Sequence, residues 1–276
     1  MTIALGLCAA VLFGASDLSG THATRRVGPG IAMFLMLVVG LVPAVAFVAL
    51  RSGSPSLGAP SAGLAFALLA GAAYYGGQTC LMRGVERGDL AVVGPIAALE
   101  GAVATCVAIG LGERPSLLTL CGLAVAVIGA MATASQPGGG SARGAGWGVA
   151  SAVLFGAASI LWAHADAIGA SGVVMLTRIG GLCLLVPLIA RRAGRVRVTR
   201  TVIGLVGIAA GLELLALAAA VTALAMGPVS VASVCQSQYG TAGGVLGILL
   251  LRERPGARQI AGALAASGGV ALMALG

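Results

Sequence analysis

Read only for apolar and polar positions, the chain is a succession of oily runs divided by short polar breaks. A helix needs about 20 apolar residues to cross a bilayer. Ten runs come near that length, at residues 2–19, 31–50, 62–82, 90–111, 116–134, 146–165, 172–190, 201–225, 229–251 and 257–275. The breaks carry loop chemistry: RSGSPSLGAP at 51–60, SQPGGGSARG at 135–144 and RRAGRVRVTR at 191–200, rich in the residues that interrupt periodic structure. Joints at 112–115 and 252–255 leave almost no mass between neighbouring runs. The pattern predicts an all-α membrane protein of ten transmembrane helices. The first run resembles the apolar region of a signal peptide, but it has no positive stretch before it and no small-x-small site opening onto a polar domain. It reads as a retained helix.

The runs repeat. AVLFGA at 10–15 recurs at 152–157, and LGERP at 111–115 is echoed by LRERP at 251–255, spacings of 142 and 140. The chain divides into residues 1–135 and 146–276, joined by a linker at 136–145. Each part holds five predicted helices. An odd number makes the second part enter from the opposite side, the inverted-topology repeat of many secondary transporters. Arginine placement gives the orientation. Breaks after odd-numbered runs hold thirteen arginines, and breaks after even-numbered runs hold Arg51 and Arg114. Positive loops stay in the cytoplasm, so both termini are expected outside it, in a cell membrane.

Composition agrees and removes one alternative. Residues are 59% hydrophobic and 9% charged, with a mean hydropathy of +1.06, whereas a soluble domain is about a quarter charged. The net charge of +8 would otherwise suggest nucleic acid, but it is spent on topology. Every cation is Arg, which fits a GC-rich bacterial genome. Cys8, Cys80, Cys106, Cys121, Cys183 and Cys235 all lie in apolar runs without a C-x-x-C and read as small buried hydrophobes; no metal or cofactor is expected. The glycine pairs 207/211, 240/244 and 243/247 have the spacing of close helix packing.

Two longer motifs resemble a known family. MRGVERGDLAVVGPIAALEG at 82–101 and LAMGPVSVASVCQSQYGTAGGVLGILLLRERP at 224–255 resemble the helix 3–4 and helix 8–9 segments of the EamA family, in the drug/metabolite transporter superfamily. LFGASDLSGTHATRR at the start and RQIAGALAASGGVALMALG at the end resemble its first and last helices. The resemblance implies ten helices around a central cavity, and export or exchange of small metabolites by alternating access. Family members often carry Pro within helices 4 and 9; here Gly101 and Gly240 stand there, while Pro95 offers a separate kink in helix 4.

Charges inside the oily runs are the candidate chemistry. Asp17, Glu100 and Glu213 lie within predicted spans, as does Arg178, seven residues into its run. A buried ionisable group costs about 2.5–3.5 kcal/mol at midplane, so it faces the bundle interior or a wet cavity. For Glu100 and Glu213 the readings are a substrate or ion pathway and a buried pair with Arg178. For Asp17 they are a cavity carboxylate and a helix-end residue that snorkels. Gln78 beside Tyr74 and Tyr75, and Gln238 beside Tyr239, either line a cavity or bond neighbouring helices. On helix 9, Cys235, Gln238 and Tyr239 are expected to share the cavity face, with Gln236 turned away. Trp162 reads as an interfacial anchor.

The pathway set is therefore Asp17, Gln78, Glu100, Arg178, Glu213, Gln238 and Tyr239, with no catalytic residue. Three acids against one base favour protons or a cationic or zwitterionic solute as partner, within the lipid bilayer, for a monomer or homodimer. No Walker A motif is present, so a non-ATP secondary transporter leads. The alternatives are an intramembrane enzyme, disfavoured by the absence of H-E-x-x-H and G-x-S-x-G, and a non-transporting scaffold.

Overall fold

The computed structural model describes residues 1–51, 61–87, 93, 96–134, 144–190, 198–242, 246 and 257–275. Ten α-helices lie among them: α1 (Thr2–Val27), α2 (Pro29–Arg51), α3 (Ser61–Arg87), α4 (Glu100–Gly110), α5 (Leu117–Ala134), α6 (Ala145–Ala163), α7 (Gly169–Ala190), α8 (Arg200–Met226), α9 (Val229–Gln236) and α10 (Ala257–Leu275). One 3-10 turn, Asp166–Ile168, joins α6 to α7. Most of the linker 136–145 and of the loops 51–60 and 191–200 falls outside the described residues. So do Pro95, Gly243, Gly244 and Gly247.

Helix ends follow backbone chemistry more than hydropathy. α1 runs on through the polar SGTHATRR because nothing breaks it before Gly28, which takes φ 83° and closes the helix on Thr24 O. Pro29 then occupies the first position of α2, where a missing N–H costs nothing. Gly169, at φ 72°, starts α7 earlier than hydropathy suggested. Arg178 is thereby the tenth residue of a 22-residue helix, near its middle rather than close to an end.

Among the described residues four stretches are long and apolar enough to cross a membrane: Thr2–Thr24, Ala145–Ala163, Asp166–Pro187 and Arg200–Met226. Large apolar side chains such as Val42, Ile128 and Leu264 stand exposed on the bundle, a surface suited to lipid rather than water.

Two of the expected continuous helices are broken. The fourth turns at residues 98–99, where Leu99 N donates to Ile96 O, before α4 proceeds from Glu100. The ninth turns at 237–238, where Gln238 N donates to Cys235 O, and then resumes as Val103 does after Leu99: Ala242 N donates to Gln238 O. The breaks are 139 residues apart. Irregular backbone at membrane depth is tolerated where it is buried in protein or lines a cavity.

Packing pairs correspond between the two parts of the chain. α1 packs on α8 as α3 packs on α6; α2 on α8 as α3 on α7; α1 on α9 as α4 on α6; and α5 meets α10, α4 meets α9 and α2 meets α7. Glycines bring these pairs together. A Cβ on Gly71 would strike the Thr177 carbonyl, and one on Gly180 the Leu68 carbonyl, which seats α3 against α7. Gly122, Gly129 and Gly269 do the same between α5 and α10. The spacing-based expectation for Gly207, Gly211 and Gly240 does not hold: a Cβ there meets nothing within 4 Å. Likewise Cys8, Cys106, Cys121 and Cys183 are exposed, and only Cys235 is buried.

Candidate functional site

Five helices place polar side chains around a partly open cavity of about 30 Å³, room for about two water molecules. α1 contributes Phe13 and Asp17, one helical turn apart and so on one face. α3 contributes Tyr74 and Gln78 at the same spacing. α4 contributes Glu100, its first residue after the break, and the resumed ninth helix contributes Tyr239. α6 adds Phe155, Ser159 and Trp162, and α9 adds Gln236. Among the described residues, the lining holds two carboxylates and no cation.

The apolar wall is an aromatic cluster centred on Tyr74. Its ring lies 6.0 Å from Phe13, 5.5 Å from Phe155 and 5.5 Å from Trp162, with Tyr75 edge-on at 4.9 Å. Gly77 leaves room for Phe155, and Gly181 for Tyr75. Trp162 Nε1 donates to Thr177 Oγ1 at 2.9 Å, which fixes the indole in place. On the opposite side, Gln236 Nε2 donates to Ser159 Oγ at 2.9 Å. That bond orients the amide, and Oε1 is left buried without a partner among the described residues.

Arg178 and Glu213 form a separate buried unit. Nη2 of Arg178 donates to Glu213 Oε2 at 3.3 Å and to Ala210 O at 3.2 Å. Arg178 is 0% exposed and Glu213 4%. Arg178 Nε and Nη1 have no partner among the described residues. Gly40 on α2 gives the guanidinium its space, since a Cβ there would overlap Nη1. Tyr74 and Tyr75 bring their hydroxyls toward Glu213, so the pair borders the aromatic wall.

Of the residues expected in the pathway, Asp17, Gln78, Glu100 and Tyr239 line the cavity, while Arg178, Glu213 and Gln238 do not. Asp17 sits well inside α1, ten residues before its end, rather than at a helix terminus. Gln238 instead reaches Ala126 O on α5 at 3.4 Å and Val234 O at 3.2 Å. Of the face expected on helix 9, Tyr239 lines the cavity, whereas Cys235 and Gln238 do not and Gln236 does. Cys235 packs with Leu123, Ala126 and Val270 against α5 and α10, which turns Gln236 inward. Trp162 is 3% exposed and belongs to the cavity wall. An interfacial position falls instead to Trp147, whose ring lies under Arg83 and Arg87 at 5.4 and 5.0 Å.

Phe13, Ser159, Phe155 and Gln236 were missed as cavity residues, yet the repeat points to most of them. Phe13 and Phe155 are equivalent positions of the two AVLFGA motifs. Asp17 and Ser159 stand at the same spacing of 142 residues, and Glu100 and Tyr239 at 139, the spacing of the helix breaks. Equivalent positions of the two parts therefore meet across the cavity, with acids in the first and neutral polar groups in the second.

One lateral feature ties the ends together. The Glu113 carboxylate accepts hydrogen bonds from Val229 N and Ser230 N at the start of α9, a favourable place for negative charge. It lines a second, outer cavity of about 410 Å³ with Met1, Thr119 and Pro228.

Comparison with known proteins agrees with this architecture. Residues 1–135 match the EamA-like transporter family. No curated protein matches the chain. A solved structure described only as a crystal structure of a protein superposes with a TM-score of 0.82 at 17% identity, over 99% of this chain and 96% of that one. That likeness carries the fold alone.

Proposed function

Residues 1–135 belong to the EamA-like transporter family, and from that premise we propose that the chain is a secondary transporter that exports or exchanges a small solute across a cell membrane by alternating access. The observation that carries this reading is the cavity between α1, α3, α4, α6 and α9, with two carboxylates in an otherwise apolar bundle. Carboxylates at such depth are costly and are retained where a solute or ion passes. With room for about two waters, the cavity admits a solute when the helices part. The turns at 98–99 and 237–238 lie beside Glu100 and Tyr239, where bending would open the site.

The two parts are read as inverted repeats, 1–135 and 146–276, joined at 136–145. Their corresponding packing pairs and the paired lining positions support this reading, as does the odd number of helices in each. The arginine bias supports a cytoplasmic 191–200 loop and extracytoplasmic termini.

The test is flux. Purified protein in proteoliposomes is expected to accumulate a solute against its gradient without ATP when a proton gradient is imposed. Glu100→Gln keeps shape and hydrogen bonding and removes the titratable charge, so it is expected to flatten the pH dependence of that flux. Failure to move any solute in a broad metabolite panel, with monodisperse protein and sealed vesicles, would refute the transporter reading.

A further inference from the structure

Resting on the transporter reading, we propose that the cavity is selective for organic ammonium ions: a protonated amine carried on an aromatic or apolar body. Three observations converge. Among the described residues, the charged groups lining the cavity are the carboxylates Asp17 and Glu100. Gln236 is 4% exposed, its Nε2 is held by Ser159, and its Oε1 is a buried acceptor without a partner among the described residues. An unpaired buried acceptor is costly, and an N–H donor from a bound solute removes that cost. Finally, Phe13, Tyr74, Phe155 and Trp162 form the remaining wall, and aromatic faces attract cations as well as apolar surface.

The same geometry excludes the alternatives. A carboxylate or phosphate on the solute needs a cation or a cluster of donors. Arg178, near the middle of α7, is 0% exposed and engaged with Glu213 and Ala210 O. An anion therefore meets Asp17 and Glu100 without compensation. A zwitterion gains at its ammonium end and loses at its carboxylate end. A neutral molecule of the same shape keeps the aromatic contacts but brings no positive charge to the carboxylates.

Polarity along the cavity also gives an orientation. The acids come from the first part of the chain, and Ser159, Gln236 and Tyr239 from the second. The ammonium sits between Asp17 and Glu100 with one N–H directed at Gln236 Oε1, and the body lies against Tyr74 and Trp162.

A matched series of probes tests this without any mutation: 2-phenylethylamine as the cation, 2-phenylethanol as the neutral isostere, 3-phenylpropionate as the anion and phenylalanine as the zwitterion. Binding to the full purified chain is measured by calorimetry near neutral pH. The cation is expected to bind at least tenfold more tightly than the alcohol, with the anion weakest. Glu100→Gln and Gln236→Leu are each expected to reduce the preference for cation over alcohol severalfold. Equal binding of cation and alcohol, tighter binding of the anion or zwitterion, or no binding of the cation at millimolar concentration would overturn the proposal. Proteoliposome flux separates it from the reading on which it rests. A cation that binds selectively but is not moved refutes the transporter and leaves the selectivity standing. Gradient-driven uptake of anions or zwitterions in preference to amines does the reverse.

Discussion

The Arg178–Glu213 pair makes the sharpest prediction, because the geometry assigns it to scaffold rather than cavity. The perturbation is a double-mutant cycle of Arg178→Met, Glu213→Leu and both together. Glu213→Leu leaves a guanidinium that is 0% exposed with Ala210 O as its remaining acceptor among the described residues, where Nε and Nη1 already have no partner. A guanidinium cannot shed its proton, so the charge stays and the loss is about 3–5 kcal/mol. Arg178→Met leaves a carboxyl group that can neutralise itself by binding a proton and that has tyrosine hydroxyls nearby; about 1–3 kcal/mol is expected. Removing both charges replaces the pair by apolar groups of similar volume, which is often neutral or stabilising. The double variant is therefore expected within about 1 kcal/mol of the parent, a coupling of at least about 3 kcal/mol. Reversible unfolding in detergent, followed by tryptophan fluorescence, reads all four corners. Additive costs, with the double variant as damaged as the sum of the singles, would refute the argument and return Glu213 to the list of groups with an independent role.

Three further outcomes follow from the packing and the charge distribution. Glu113→Ala removes the acceptor for Val229 N and Ser230 N and is expected to lower stability by about 1 kcal/mol, the usual worth of a lost helix cap, whereas Glu113→Gln keeps part of it; an unchanged unfolding midpoint for the alanine variant would contradict the cap. Gly71→Ala and Gly180→Ala drive a Cβ into a backbone carbonyl of the neighbouring helix and should cost several kcal/mol or abolish folding, while Gly207→Ala and Gly211→Ala meet open space and should be neutral or stabilising by up to about 1 kcal/mol, as read by expression and thermal midpoint. A reporter active only in the cytoplasm is expected to be silent after Gly276 and active within 191–200; strong signal at the C-terminus would reverse the orientation.

Much of the fold was legible because hydropathy reports depth. α10 begins and ends where its apolar run does, at Ala257 and Leu275, and each of the ten oily runs contains a described helix. Depth says nothing about direction around a helix axis, and that is why it could not separate cavity positions from helix contacts. Glu100 and Glu213 are equally deep and equally expensive, yet one lines the cavity and the other ties α8 to α7. Which acid takes Arg178 depends on which helices are neighbours, information that no single run contains. On α9 the error had a local cause: Cys235 and Gln238 share one face and Gln236 and Tyr239 another, and both faces offer an amide. The side with Val231, Val234 and Cys235 meets α5 and α10, so the amide of Gln236 is the one left to the interior.

The repeat carried the missing information. If equivalent positions of two related halves meet about a central axis, a residue known to face the cavity in one half nominates its partner in the other. Asp17 nominates Ser159, Glu100 nominates Tyr239, and Phe13 nominates Phe155, and all six line the cavity. The same logic explains why the site is chemically lopsided although its backbone is paired. A two-fold relation constrains where side chains point, not what they are, so divergence of the halves is free to put both acids on one side. A symmetric pair of acids in each half would concentrate four carboxylates in about 30 Å³, where mutual repulsion in a low dielectric would be severe. Keeping the charge in the first half and hydroxyl and amide groups in the second avoids that repulsion and still leaves polar partners on both sides.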